Sequence, residues 1–412
     1  LHFNIFFLFL LQGGSYLTSI IILPWLTRAL GVDGFGQLSF ILAFISYFVL
    51  LVDWGFGYCA TKKISIHRYD KLIYSKIFWD TFFARLLLAA FGFFLLLFIL
   101  WIFPKFNSQA PLYLISYLIV LASVCTPAFY YQGIERLGAM VVVNLCIKLS
   151  SVPFIFIFVT SKEDLPLAVC IQAGFIFLAS LINFIGLMYS GDLIWVGPKL
   201  NSIRDAILEG WSLFLSTASI SLYTNSNVVI LGLVADSAAV AYFVAAQTII
   251  RAGQGLFVPI SQSLFPRISY LFANSKDSAI DLLRKIIWIQ GAFSALISIF
   301  VFIAAPIFVE IIFGEKFEMA AAVLRWLSPT LFLIGLSNVF GIQGMVPLGY
   351  SKSFSHILLG SGLFNIIAIL PLGYFYGAIG GSAAALLTEC LVTLLMMIYL
   401  KTAEPRLFKL QA

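Results

Sequence analysis

Charge is what this sequence has least of. Only 10% of its 412 residues are Asp, Glu, Lys or Arg, while 62% are hydrophobic. Soluble domains carry roughly 25% charged residues, so a water-facing surface for a chain of this size is excluded. Histidine is confined to His2, His67 and His356, too scattered for a metal site or a catalytic pair. The cysteines are Cys59, Cys125, Cys146, Cys170 and Cys390; four fall inside apolar runs, and no two have metal-ligand or redox spacing. They read as small core-filling residues. No catalytic set, metal-ligand set or cofactor motif emerges, and no connecting segment is long enough for a separate soluble domain.

What the chain does have is apolar runs. Its mean hydropathy is +1.05. A bilayer core about 30 Å thick takes about 20 apolar residues per helix. Runs of that length recur at 5–30, 38–57, 77–103, 112–132, 139–160, 166–189, 208–234, 239–263, 286–313, 324–346, 355–376 and 380–400. The first has no basic lead and continues through Gly13-Gly14, so it reads as a span and not as a signal peptide. Backbone groups in lipid are satisfied only by helices or closed barrels. Continuous runs favour helices, giving an all-α integral membrane fold of about twelve spans.

Lysine and arginine set the orientation. With the N-terminus in the cytoplasm, sixteen of the 24 basic residues, from Lys62 to Lys409, fall in inside segments. Four fall outside: Arg28, Lys105, Lys162 and Lys316. Both termini are therefore expected in the cytoplasm. The formal charge of +6 reflects topology and contact with anionic lipid, not nucleic-acid binding. Corresponding spans lie about 205–210 residues apart, which suggests duplicated halves. The expected organisation is a six-helix lobe over 1–189, a cytoplasmic linker over 190–206 and a second six-helix lobe over 207–412.

Polar residues on a helical period are the informative ones, because each carries an insertion cost. Ser212, Ser216, Ser219, Tyr223 and Asn227 share one face of the seventh span, and Gln247, Arg251 and Gln254 one face of the eighth. Ser39, Ser46 and Asp53 recur in the second span, and Gln12, Ser15 and Ser19 in the first. Such faces suit a central wet cavity between the lobes; packing through small residues and hydroxyls is the bland reading. Arg251 stands out, since a mid-span guanidinium costs roughly 2.5–3.5 kcal/mol and is usually offset by water, a carboxylate or an anion. An internal pair with Asp53 or Glu389 is the structural reading; a grip on phosphate is the functional one. Lys148 is a weaker anion-binding candidate. Arg85 admits either that role or snorkelling toward the interface, and Arg28 either an interfacial place or the outer mouth. Asp53 and Glu389 are the carboxylates suited to ion coupling.

Several segments then carry a resemblance. Leu23-Pro24-Trp25-Leu26-Thr27-Arg28-Ala29-Leu30-Gly31 with Gly34-Phe35-Gly36, and Val52-Asp53-Trp54-Gly55-Phe56-Gly57, resemble the first two helices of bacterial polysaccharide flippases. Phe129-Tyr130-Tyr131-Gln132-Gly133-Ile134-Glu135, Pro259-Ile260-Ser261-Gln262-Ser263-Leu264-Phe265-Pro266-Arg267, and Phe313-Gly314 through Leu324-Arg325-Trp326-Leu327 follow in order. The chain resembles the O-antigen flippases (Wzx-type) of the multidrug/oligosaccharidyl-lipid/polysaccharide exporter superfamily. The resemblance implies two pseudo-symmetric lobes around a cavity, a place in the bacterial inner membrane, and alternating access. It implies an undecaprenyl-diphosphate-linked oligosaccharide as substrate, with no bond made or broken and no cofactor. A polysaccharide polymerase and a chain-length regulator are the candidate protein partners. The competing readings are a peptidoglycan-precursor flippase, a drug or cation antiporter, and more remotely a membrane polymerase, which would need a larger outside loop.

The orientation is testable. Green fluorescent protein fused at the C-terminus should fluoresce, and alkaline phosphatase fused there should be inactive. Phosphatase inserted beside Lys162 should be active; the reverse pattern would invert the topology.

Overall fold

A computed structural model of the chain describes the backbone of residues 2–408. It describes the side chains of these residues except 2–17, 19–20, 216, 219–220, 222–224, 258–263, 266 and 273. No β-strand occurs among the described residues. Two compact units divide the chain, Leu1–Ala218 and Ser219–Ala412.

The first unit holds α1 (His2–Asp53), α2 (Phe56–Ile66), α3 (Lys71–Ile102), α4 (Pro104–Asn107), α5 (Ala110–Ser116), α6 (Leu118–Cys125), α7 (Ala128–Gly133), α8 (Gly138–Phe158), α9 (Leu165–Tyr189) and most of α10 (Leu200–Thr224). The second holds α11 (Ser226–Val234), α12 (Ser237–Gly255), α13 (Phe257–Asn274), α14 (Lys276–Phe313), α15 (Glu318–Asn338), a π-helix (Val339–Met345) and α16 (Ser351–Ala403). Among the described residues, eight helical stretches are long and apolar enough to cross a membrane.

The two longest helices fold back on themselves at glycine. Gly31 leaves the helical region at φ 68°, so α1 supplies the first two expected spans. Gly377 does the same at φ 56° within α16 for the last two. Left-handed backbone of this kind suits glycine, which has no Cβ to clash. A Cβ on nearby Gly380 would run into the carbonyl of Leu372.

Elsewhere the expected spans are not continuous. The run at 112–132 is cut between α6 and α7, where Pro127 follows Thr126. The run at 208–234 breaks at Asn225, and that at 239–263 at Leu256. Proline lacks the N–H that closes a helical turn, which accounts for the first break.

In the first unit, α1 packs on α3, α6 and α8, and α9 on α6 and α8. An aromatic cluster at its heart sets Phe78 among Trp79, Phe129, Tyr130 and Phe184. The aromatic-Gln-Gly motif explains the fit of α7 on α2: a Cβ on Gly133 would lie 2.6 Å from Ile64 Cγ2, and Thr61 Oγ1 donates to Phe129 O at 3.1 Å. Residues 190–199 carry no helix, yet they are not loose. Lys71 Nζ donates to Gly191 O (2.5 Å), the Tyr74 hydroxyl to Asp192 O (2.9 Å) and Trp79 Nε1 to Ile194 O (3.0 Å), while Ser75 Oγ accepts from Ile194 N (3.0 Å). Positions 71, 74, 75 and 79 lie on one face of α3.

In the second unit, α15 packs on α12, α14 and α16, and α11 on α16. Ile268, Leu283, Phe340, Met396 and Leu400 form part of its buried core. Pro329 frees the carbonyl of Arg325, and Ser328 Oγ takes it at 2.9 Å.

The glycine turn gives a test. Gly380→Ala should lower the yield of folded protein on size-exclusion chromatography, whereas Gly360→Ala, which faces open space, should not.

Candidate functional site

Each unit places an arginine against a break in a neighbouring helix. In the first unit this is Arg85, in the middle of α3 and 4% exposed. Its Nη2 is 2.9 Å from Asp53 Oδ1, at the end of α1. Its Nη1 donates to Ser123 O at 3.0 Å and to Thr126 O at 3.2 Å. Ser123 is four residues before Pro127, so its carbonyl is the one that proline leaves without a helical partner. The guanidinium supplies the missing donor. It also lies over the Phe129 ring, 5.0 Å from the centroid, a favourable cation–π position. Thr126 Oγ1 and Ser180 Oγ are 2.8 Å apart, tying the same break to α9.

This arrangement replaces snorkelling for Arg85: the charge is held inside the unit. It also gives Asp53 a partner, Arg85, where Arg251 was considered. The Asp53 side chain stays 49% exposed. Asp53 is followed by Trp54 and Gly55 with φ of 41° and 78°. Positive φ is uncommon for a residue as bulky as tryptophan and costs about 1–3 kcal/mol. The Arg85 Nε–H is buried and donates to no partner among the described residues.

In the second unit the arginine is Arg251, on α12. It is exposed, and its Nη2 donates to Asn225 Oδ1 at 3.2 Å. Asn225 is the single residue between α10 and α11, so this arginine too sits at a helix break. Asn227, one position into α11 from Ser226, is buried, and its Oδ1 has no hydrogen-bond partner among the described residues. Gln247 and Gln254 are partly buried on the same helix as Arg251. The side chain of Tyr223 lies outside the described residues, as do those of Gln12, Ser15, Ser19, Ser216, Ser219 and Ser261.

The remaining candidates are dispersed. Lys148 is partly buried on α8, one turn from Asn144, whose Oδ1 accepts from Asn183 Nδ2 at 2.8 Å. Arg28 is exposed on α1, near Trp25, which donates to Val159 O at 2.7 Å. Glu389 is partly buried on α16, beside Thr388, whose hydroxyl accepts from Asn365 Nδ2 at 3.0 Å. Ser46 is spent locally, donating to Ala43 O. Among the described residues no cluster of His, Cys, Asp and Glu has the makings of a metal site.

Asn225, Ser123 and Ser180 escape sequence reasoning. A stripe at spacings of three and four assumes an unbroken helix, and Asn225 falls off it because the helix stops there. Pro127 was the available signal for Ser123: a proline inside an apolar run announces a carbonyl in need of a donor.

Comparison with known proteins fits this picture. A family profile described as polysaccharide biosynthesis protein matches residues 1–272. A chain from Escherichia coli (strain K12), named for O-antigen transport, is 32% identical over 401 residues, covering 97% of this chain and 96% of the relative. One from Shigella dysenteriae with the same name is 29% identical over 395 residues, covering 96% and 98%. Among solved structures, lipid II flippase MurJ in an inward closed conformation has a TM-score of 0.72 at 13% identity, covering 95% of this chain and 87% of that one. An inward-facing multidrug resistance MATE family transporter of the MOP superfamily has 0.68 at 14%, covering 96% of each. At those identities the likeness is one of fold.

The Arg85 site predicts an order of stabilities. Arg85→Ala leaves the Ser123 and Thr126 carbonyls without their donor and should cost roughly 2–6 kcal/mol, at about 1–3 kcal/mol per unsatisfied buried group. Asp53→Ala should cost less, because both carbonyl bonds survive. Thermal unfolding in detergent ranks the two; an equal loss would mean that the ion pair, and not the carbonyl bonds, carries the site.

Proposed function

The chain belongs to the polysaccharide biosynthesis protein family, and from that membership we propose that it is a flippase for undecaprenyl-diphosphate-linked O-antigen or related repeat units. It carries them from the cytoplasmic to the periplasmic leaflet of the bacterial inner membrane, with both termini in the cytoplasm. The near full-length relationship to two chains named for O-antigen transport carries this reading. The fold it shares with MurJ and MATE transporters supports transport over covalent chemistry.

Moving a sugar diphosphate through hydrocarbon requires compensation for its lost hydration. Arginine does this best, because its planar fork matches phosphate oxygens in pairs. Arg251 is the side chain proposed to meet the diphosphate. It is exposed, and its bond to the neutral amide of Asn225 at 3.2 Å is one that an anion would outcompete. Gln247, Gln254, Asn227 and Tyr223 are the proposed sugar contacts. Arg28 and Lys148 are proposed as secondary cationic contacts along the path. Arg85 is engaged by Asp53 and two carbonyls, which supports a role in setting the shape of the first unit near the substrate.

Transport is proposed to proceed by alternating access. Binding alone gives no direction, since a ligand shifts a conformational equilibrium only by its differential affinity for the two states. Consumption of the flipped unit by a polymerase and chain-length regulator is one proposed drive; an ion gradient acting through Glu389 is the other. The alternatives in the same fold, a peptidoglycan-precursor flippase or a drug antiporter, have only a likeness of fold at 13 and 14% identity, against 32 and 29% for the chains named for O-antigen transport.

Deletion of the gene should leave lipid-linked repeat units on the cytoplasmic leaflet and abolish the surface polysaccharide. The intact gene should restore it; Arg251→Ala at normal membrane levels should not, and Arg251→Lys should restore it only partly. Full restoration by Arg251→Ala would remove Arg251 from the mechanism. Export that survives collapse of the proton and sodium gradients would remove ion coupling.

A further inference from the structure

Trp54 follows the Asp53–Arg85 pair in the chain and makes contacts that the transport reading does not use. It occupies the left-handed turn directly after Asp53. Its Nε1 donates to Ile207 O of α10 at 2.8 Å. Its ring stacks on Phe214, centroids 4.1 Å apart and planes within 13°, with Trp211 at 5.5 Å. The fit leaves no slack. A Cβ on Gly210 would lie 2.6 Å from Trp54 O, and one on Gly55 2.6 Å from Leu213 Cβ. Just beyond, buried Phe56 packs with Ile203 of α10, and Lys63 of α2 pairs with Glu209.

The contacts on α10 fall at 203, 207, 210 and 214, which is one helical face. The Asp53 carboxylate holds Arg85, which holds the break at Pro127. Consecutive residues thus grip different elements, Asp53 taking α3 and Trp54 taking α10.

We infer that Trp54 is a positioning residue that locks the first-unit part of α10 to the Asp53–Arg85 pair, so that the state of that pair is felt along α10 from Ile203 to Phe214. The inference rests on the flippase reading for its purpose, since it ties α10 to a pair that sets the shape of the first unit. The coupling itself is a property of the protein alone. A chain of contacts is only a candidate route until the two ends are shown to be energetically linked, so the test is a mutant cycle.

Hydrogen exchange measured by mass spectrometry on the full chain in lipid nanodiscs reads this directly. In peptides covering 203–218, Trp54→Ala should speed exchange roughly tenfold and Asp53→Asn roughly threefold. The double variant should be no faster than Trp54→Ala alone, because the two lie in series. Gly210→Ala, which displaces Trp54 without removing it, should resemble Trp54→Ala and serves if that variant does not fold. Leu208→Ala, at a side chain 59% exposed, should change nothing. Asp53→Asn leaving α10 unchanged, or the two effects adding, would overturn the inference. So would wild-type export by Trp54→Ala at normal membrane levels. Failure of the wild-type chain itself to export would sink the flippase reading, and the exchange cycle would still decide the coupling.

Discussion

A helix that stops or bends inside hydrocarbon exposes backbone carbonyls that no water can reach, and this structure meets several carbonyls of its apolar spans with a donor sent from another helix. Unsatisfied backbone groups in lipid cost several kcal/mol each, so the donors are not optional. Arg85 serves the carbonyl freed by Pro127. Trp25 serves Val159, where α8 ends. Gln290, 2% exposed, serves Gly335 at 3.0 Å, just ahead of the π-helix. Ser298 serves Ser328 at 2.8 Å, and Thr393 serves Leu333 at 3.2 Å. Many of the polar residues that survive in these apolar spans are therefore there for the backbone.

This constraint changes how cationic residues in the chain are to be weighed. An arginine in a membrane span is commonly read as a substrate contact or a counter-ion. Arg85 is neither in the first instance: two of its bonds go to carbonyls, and the carboxylate completes the set. Arg251 differs in that it donates to a neutral amide side chain at its break and stays exposed. Similar residues at equivalent-looking places thus separate by what else they touch.

Much of the fold was legible in the sequence. Apolar runs of the right length mark the long helices, and Gly31, embedded in a Leu-Gly-Val sequence before Gly34 and Gly36, marks the first reversal. The order of family motifs is borne out by family membership, and three of them have clear structural work: the glycine turn at 31, the tight seat of Gly133 on Ile64, and Gly314, whose φ of 85° ends α14. The site was less legible. Hydropathy has a resolution of a whole span and passes over a single non-helical residue, so the breaks at Asn225 and Leu256 were invisible. Periodic stripes drawn across those breaks mixed residues from two helices. Asp53 was visible as a costly carboxylate, but its partner lies 32 residues away on a different helix, and nothing local specifies that pairing.

The stretch between α9 and α10 deserves to be seen as a seam more than as a tether. Residues 191–194 are sewn to one face of α3 by the side chains of Lys71, Tyr74, Ser75 and Trp79. A strand fastened at intervals along its length peels one stitch at a time from its loose edge instead of giving way all at once. Force arriving through α10 would thus be shed into α3 progressively, and the last turn of α9 would be shielded from it.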